Sequence, residues 1–320
     1  MKNLSLLLVV VFTVFSCAKE NKMEQEIAAI QADFIIERFD IIFGETTKEN
    51  IDETKKAFPF MFSERYPDSF WIEKVNDTFQ KQLTLETERI FSDFKNEKKE
   101  IKKLFQHLQF YFAEFKIPRV ITATSEVDYR NKVIVTDSIT FIALDTYLGS
   151  EHEFYDGIQN YLKQNFKKSQ IVVDFANAYA EKHIYNQPLK TLLDEMIYYG
   201  KQLYFKDKMI PFKTDAEKIG YTEEQLTWAA ANETEIWRFF VENELLYSTD
   251  SKLPSRFINV APFSKFYLEE IDAESPGRIG RYMGWQIVRA YMKNNNVSLK
   301  DMLHKNAEEI FNNANFKPKK

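Results

Sequence analysis

Apolar residues recur every three to four positions over most of this chain, and strand-like patterning is confined to its first third and middle. Ile101, Leu104, Leu108, Phe112 and Phe115 form one stripe at helical spacing, which predicts a long helix over 85–115 stopped by Pro118. Arg119 to Thr124 then reads as a strand. Lys132 to Thr136 and Thr140 to Leu144 are β-branched runs parted by Asp137-Ser138, which predicts a hairpin. Phe34 to Asp40 fits strand or helix, and a short strand followed by a turn at Gly44 is favoured. A helix over 50–58 ends at Pro59. Helical periodicity also covers 152–163, 172–185, 188–205, 222–246, 279–292 and 299–311. Thr222 with Gln225 three residues on makes a capping box for the helix at 222–246. The pattern predicts an α+β chain, mainly α, with one small β-sheet.

The N-terminus follows different rules. Lys2 precedes an apolar run from Leu4 to Phe15, broken only by Ser5 and Thr13, and Val14-Phe15-Ser16-Cys17 closes it. Spanning a bilayer takes roughly 20 apolar residues, so this shorter run fits the core of a signal peptide. Its end resembles a lipobox, whose cysteine is acylated and becomes the first residue of the mature protein. An ordinary signal peptide or a short membrane anchor is the alternative. The expected organisation is a signal peptide over 1–16, lipid attachment at Cys17, a tether over 17–23 and one globular domain over 24–316. That domain divides into a helical part, 24–116, and a part with the sheet and core helices, 117–316. Cys17 is the only cysteine, so the exported domain has no disulfide and no thiolate ligand or nucleophile. Multiple acyl chains anchor stably, which places the domain on an envelope membrane facing the periplasm; inner or outer membrane stays open.

Charge narrows the partners. Net charge is -5, and loss of Lys2 with the signal peptide makes it about -6. A mildly acidic chain carries no electrostatic footprint for nucleic acid. The lysine pairs at 98–99, 102–103 and 167–168 read as solvated helix faces. Only eight glycines occur, and Gly277, Gly280 and Gly284 fall together. Gly280 and Gly284 are one turn apart on a helix and predict close approach of another backbone. Their spacing is neither G-x-G-x-x-G nor a P-loop. Arg278 and Arg281 at the start of that helix are candidate contacts for a carboxylate, a peptide end or an internal salt bridge.

Catalytic signals are sparse. Leu192-Leu193-Asp194-Glu195-Met196-Ile197-Tyr198 has the shape of the zincin helix, where H-E-x-x-H sets two histidines on one zinc and a glutamate on the metal-bound water. Glu195 keeps the glutamate's place, while Asp194 and Tyr198 occupy the histidine places. A small sheet precedes the helix, and Glu233 in a following acidic helix is the candidate third ligand; hydrogen bonding between helices is the alternative for Glu233. A protonated phenol is a poor ligand, so these four positions read as a degenerate site without metal. His107, His152, His183 and His304 show no metal spacing, and no G-x-S-x-G occurs. No cofactor is expected beyond the covalent lipid on Cys17.

Longer blocks carry a family resemblance. Ile36-Glu37-Arg38-Phe39-Asp40, Phe58-Pro59-Phe60 with Tyr66-Pro67-Asp68-Ser69, and Ala143-Leu144-Asp145-Thr146-Tyr147-Leu148-Gly149 lie in the N-terminal half. Leu192 to Lys201, Asn259-Val260-Ala261-Pro262-Phe263-Ser264-Lys265 and Glu274-Ser275-Pro276-Gly277-Arg278-Ile279-Gly280 follow. With these the chain resembles the gliding-motility lipoprotein GldB family. The resemblance implies an envelope lipoprotein required for gliding, linked to type IX secretion, with an envelope protein of the gliding machinery as partner. It also implies a zincin-like fold distantly related to putative zinc-dependent peptidases. The expected role is a non-catalytic binding or assembly module whose cleft takes an extended peptide by β-addition to Thr140–Leu144. The alternative is a hydrolase with metal held by Asp194, Glu233 and a distant histidine.

Overall fold

A computed structural model describes residues 22–185 and 188–319. The signal peptide, Cys17 and the tether as far as residue 21 lie outside the described residues. The architecture is mainly α with one small sheet, and helix accounts for 58% of it.

Four strands make the sheet: β1 (Ile36–Arg38), β2 (Arg119–Ala123), β3 (Val133–Val135) and β4 (Ile139–Ala143). Their order is β1-β2-β4-β3, with β1, β2 and β4 parallel and β3 antiparallel to β4. The predicted hairpin is β3–β4. Because β4 lies between β2 and β3, both of its edges are paired. This corrects the expectation that Thr140–Leu144 offers an edge for β-addition, since an added strand needs unpaired N–H and C=O groups.

The sheet separates two apolar cores through the period-2 alternation of a strand. From β2, Ile121 and Ala123 join Phe39, Phe43, Phe58, Phe62 and Val75 in a small aromatic core. Val120 and Ile142 point the other way, into the main core. Helices α1 (Phe39–Gly44), α2 (Ile51–Ala57), α3 (Asp68–Asn76) and α4 (Thr78–Ile90) lie around the small core. Arg38 ties them to the sheet: its guanidinium donates to buried Asp40 at 2.7 and 3.0 Å and to the Phe91 carbonyl at 2.7 Å.

The long helix expected over 85–115 is two helices, α4 and α5 (Lys95–Tyr111). Ser92 and Asp93 favour turns over helix interiors, the Asp93 carboxylate accepts from the Lys95 N–H at 3.2 Å, and Phe94 sits at φ 45° with its ring in the main core. Further helices are α6 (Ile171–His183), α7 (Leu192–Met209), α8 (Asp215–Ile219), α9 (Glu223–Ala231), α10 (Glu233–Glu242), α11 (Ile279–Asn294), α12 (Leu299–His304) and α13 (Ala307–Ala314), with a short helix over Glu269–Glu274 before α11. The helix expected over 222–246 divides at Asn232 into α9 and α10, and that over 299–311 at Lys305-Asn306. Asn306 caps α13 by accepting from the Glu309 N–H at 2.7 Å. Residues 152–163 hold only a short turn of 3-10 helix and one turn of α-helix.

Helix α7 runs through the main core, with α6, α5, α11 and α13 packed about it. Its N-terminus is fixed by a capping box between Thr191 and Asp194. Gly200 in its middle costs roughly 1 kcal/mol relative to alanine, and α11 explains it. A methyl built on Gly200 would come within 2.4 Å of the Gly284 carbonyl oxygen, and one on Gly284 within 1.8 Å of the Met196 carbonyl oxygen. The two backbones are in contact, as the spacing of Gly280 and Gly284 predicts. Gly280 serves the adjoining turn, where a methyl would come within 2.8 Å of the Ile258 side chain and 3.0 Å of the Phe257 carbonyl oxygen.

Candidate functional site

The positions singled out on α7 are engaged structurally. The Asp194 carboxylate accepts from the N–H groups of Lys190 and Thr191 at 3.0 and 2.9 Å, closing the capping box. Burial pushes the Glu195 carboxyl up, against the opposing pull of Arg281. Burial likewise raises the Tyr198 phenol. Glu233 is buried at the start of α10, where it accepts from the Tyr282 hydroxyl and the Lys319 N–H, both at 2.9 Å. This is hydrogen bonding between helices α10 and α11. Among the described residues, no three His, Cys, Asp or Glu side chains come together in a way that could hold a metal ion. Asp194, Glu195 and Glu233 therefore form no metal-ligating cluster. His183 is stacked on Phe112 at 3.9 Å between ring centres, and burial depresses it to about 4.

The structure instead opens a cavity of about 230 Å³ between α6, α7, the start of α11 and the segments around Lys132, Asn165 and Gly220. Arg278 and Arg281, the candidate carboxylate contacts in the sequence, both line it, and its other lining residues carry no such signal. Charged groups on the wall are Lys132, Lys206, Lys218, Arg278 and Arg281, against one carboxylate, Asp174. Tyr129, Tyr161, Phe166 and Tyr199 supply aromatic surface.

Two of these cations are neutralised. Lys132 pairs with Asp174, which also accepts from the buried Tyr147 hydroxyl at 2.7 Å. Lys218 reaches Asp207 at 3.0 Å and Asp215 at 3.4 Å. The other three have no carboxylate within ion-pair distance among the described residues. Lys206 is only 7% exposed and donates to the Lys218 carbonyl at 3.0 Å. Desolvation pulls its ammonium down to about 7; Asp174 and Glu181 oppose that shift, and Arg281 and Arg278 add to it.

Arg281 lies 3.8 Å above the Tyr199 ring and donates through Nε to the Ile258 carbonyl at 2.7 Å. Burial lowers it to about 10, so it stays charged near neutral pH. Arg278 has a left-handed backbone, φ 64°, directly before α11. Its Nη2 donates to the Gly220 carbonyl at 2.8 Å, an oxygen that also accepts from Gln164 and Asn165. Its Nε is buried with no hydrogen-bond partner among the described residues.

On α6 the wall residues are Val173, Asp174 and Asn177, at positions i, i+1 and i+4. That is the spacing of H-E-x-x-H, and the next helix adds Tyr199. Nothing in the residue types of this stretch marked it in the sequence. Lys206 follows Leu203-Tyr204-Phe205 and precedes Asp207-Lys208, so in the sequence it reads as part of a charged cluster.

Among the described residues, no helix is long and apolar enough to cross a membrane. Comparison with curated proteins returned no match, and comparison with solved structures returned none. The model of the family described as gliding motility protein GldB matches residues 20–318, and the chain belongs to that family.

Proposed function

We propose that this chain is an envelope lipoprotein of the gliding machinery, anchored through acylated Cys17 and tied to type IX secretion, whose domain binds or assembles without catalysing a reaction. Family membership supports the motility role, and the lipobox-like end of the signal peptide supports the anchor. The observation that carries the non-catalytic reading is the side-chain chemistry of the cavity. A zinc hydrolase needs three strong ligands and a carboxylate free to work on bound water. Here Val173 has no donor atom, Asn177 is a neutral amide, and Asp174 is already held by Lys132 and Tyr147. Lys206, Arg278 and Arg281 add positive charge that repels a cation. The residues present do not fit a catalytic metal. On this reading the domain is zincin-like, with Asp194, Glu195, Tyr198 and Glu233 as degenerate positions, and its cavity carries fixed cations.

The test pairs metal analysis with motility. Purified full-length protein is expected to contain no stoichiometric zinc, and Glu195→Gln is expected to support gliding like the wild type in a strain lacking the native copy. Zinc near one per chain, together with a folded Glu195→Gln protein that fails to support gliding, overturns the reading in favour of a hydrolase.

A further inference from the structure

We propose that the cavity between α6, α7 and α11 is a receptor for one compact oxyanion, a carboxylate or phosphate group, held by Lys206, Arg278 and Arg281. The inference deepens the reading of the domain as a binding module and names the ligand chemistry of that site; it does not require the motility role.

The argument starts from what buried cations cost. Removing an ion from water carries an effective penalty of several kcal/mol unless a counter-charge and hydrogen bonds offset it. Three other inward-facing cations of the domain are neutralised, Lys132 by Asp174, Lys213 by Glu100 at 2.8 Å and Lys218 by Asp207, while buried Lys201 stands alone and donates to two backbone carbonyls, those of Leu303 and Lys305. Lys206, Arg278 and Arg281 converge on one cavity without such a partner, although Lys206 is more than nine-tenths buried. Each retains donor capacity. An ammonium has three N–H donors and a guanidinium five, and the structure gives Lys206 one acceptor, the Lys218 carbonyl. The Nε–H of Arg278 has none among the described residues.

The carbonyls that these side chains do reach, Lys218, Gly220 and Ile258, are backbone groups that fix their positions. Tyr199 supports Arg281 by stacking. The cations are thus held in place by neutral groups, with their charge left uncompensated. A fork of arginine donors beside a lysine matches the geometry of a carboxylate or phosphate. The cavity volume of about 230 Å³ admits such a group with a few attached atoms.

Titration follows the same groups. Lys206 is faced by Asp174 and Glu181 from α6, by Arg281 from α11 and by Arg278 directly before it. An oxyanion beside it favours the ammonium, so binding takes up protons near pH 7 and weakens toward pH 9.

Isothermal titration of the purified full chain with acetate, inorganic phosphate and acetamide tests the proposal. Saturable one-site binding of acetate or phosphate, weakening at alkaline pH, is expected, with no binding of acetamide, the neutral isostere of acetate. The tighter of the two anions identifies the source chemistry. Lys206→Met is expected to weaken binding roughly tenfold or more. Asp174→Asn keeps the side-chain shape and removes the one negative charge on the wall, so it is expected to tighten binding several-fold. A purely structural role for the cations would leave both affinities unmoved. Absence of saturable binding of either anion to the wild type, acetamide binding as well as acetate, or an unchanged affinity in Asp174→Asn would each overturn the proposal. Those outcomes leave the zinc and gliding test of the non-catalytic reading untouched.

Discussion

The two ends of α11 treat arginine in opposite ways. Near its C-terminal end, Arg289 donates to Asp207 at 2.7 Å and to Asp215 at 2.7 Å, and stacks on Trp285 at 3.7 Å. The Trp285 indole N–H donates to the same Asp207 at 2.9 Å. These carboxylates hold the Arg289 guanidinium well above its ordinary range against the opposing effect of burial. Two turns earlier on the same face, Arg281 receives only a carbonyl and a tyrosine ring, and Arg278 before it receives only a carbonyl and the neighbourhood of Tyr221. Between the two ends lies Gly284, pressed against the backbone of α7. The paired end behaves as structure. The unpaired end holds charge in place for something else.

The largest effect is expected at the seam that fixes the two ends relative to each other. Gly284→Val brings a branched side chain into the Met196 carbonyl, where even a methyl has no room. Overpacking costs typically about 1–3 kcal/mol and occasionally more, and a clash with helix backbone belongs at or above the top of that range. A melting temperature close to that of the wild type would show that α7 and α11 separate more easily than this contact implies.

The next test sets the two ends directly against each other. Arg289→Leu leaves Asp207 and Asp215 with one remaining cation, Lys218, and Asp207 with the Trp285 N–H, and is expected to destabilise by about 2 kcal/mol, because removing one member of a part-buried network strands its charges. Arg281→Met strands no carboxylate ion pair and is expected to change stability by less than about 1 kcal/mol in either direction, since replacing a buried charge by an apolar group is often neutral or stabilising. Denaturant melts of both variants check this. Equal losses would remove the contrast between the ends.

A smaller effect concerns Lys206. Its ammonium is pulled from an ordinary 10.5 down to about 7 in the folded chain. Between these values the unfolded chain holds a proton that the folded chain has released, so stability rises with pH across that window. Below about 7 both states are protonated and the folded state carries the full burden of a buried charge. Relative to Lys206→Met, the wild type should therefore gain stability from pH 7 to pH 10. The cavity is open to water, so a gain of about 1 kcal/mol is expected. A flat difference in melting temperature across that range would place the ammonium in a wetter site, and saturating phosphate should flatten it by stabilising the charged form.

Much of this molecule was legible in its sequence. Local patterns decided the helices, the β3–β4 hairpin, the capping box opening α9 and the closeness of Gly280 and Gly284 to another backbone, because periodicity, capping and the lack of a Cβ act over a few residues. The lipobox-like end at Cys17 is legible for the same reason. The breaks at Ser92-Asp93 and Asn232 were visible as polar residues, yet they divided helices only because Phe94 and Glu233 turned inward to partners far along the chain.

The cavity was decided by tertiary structure alone. Lys132, Asp174, Lys206 and Arg281 come from four separate segments, and no local rule relates them. Glu195 drew notice because it stands in a recognisable spacing, while the groups that share a cavity do so through the packing of α6, α7 and α11. Which cations would meet a carboxylate, and which would be left facing a cavity, depends on distances between helices. Coulomb energy follows separation in space, which residue order does not set.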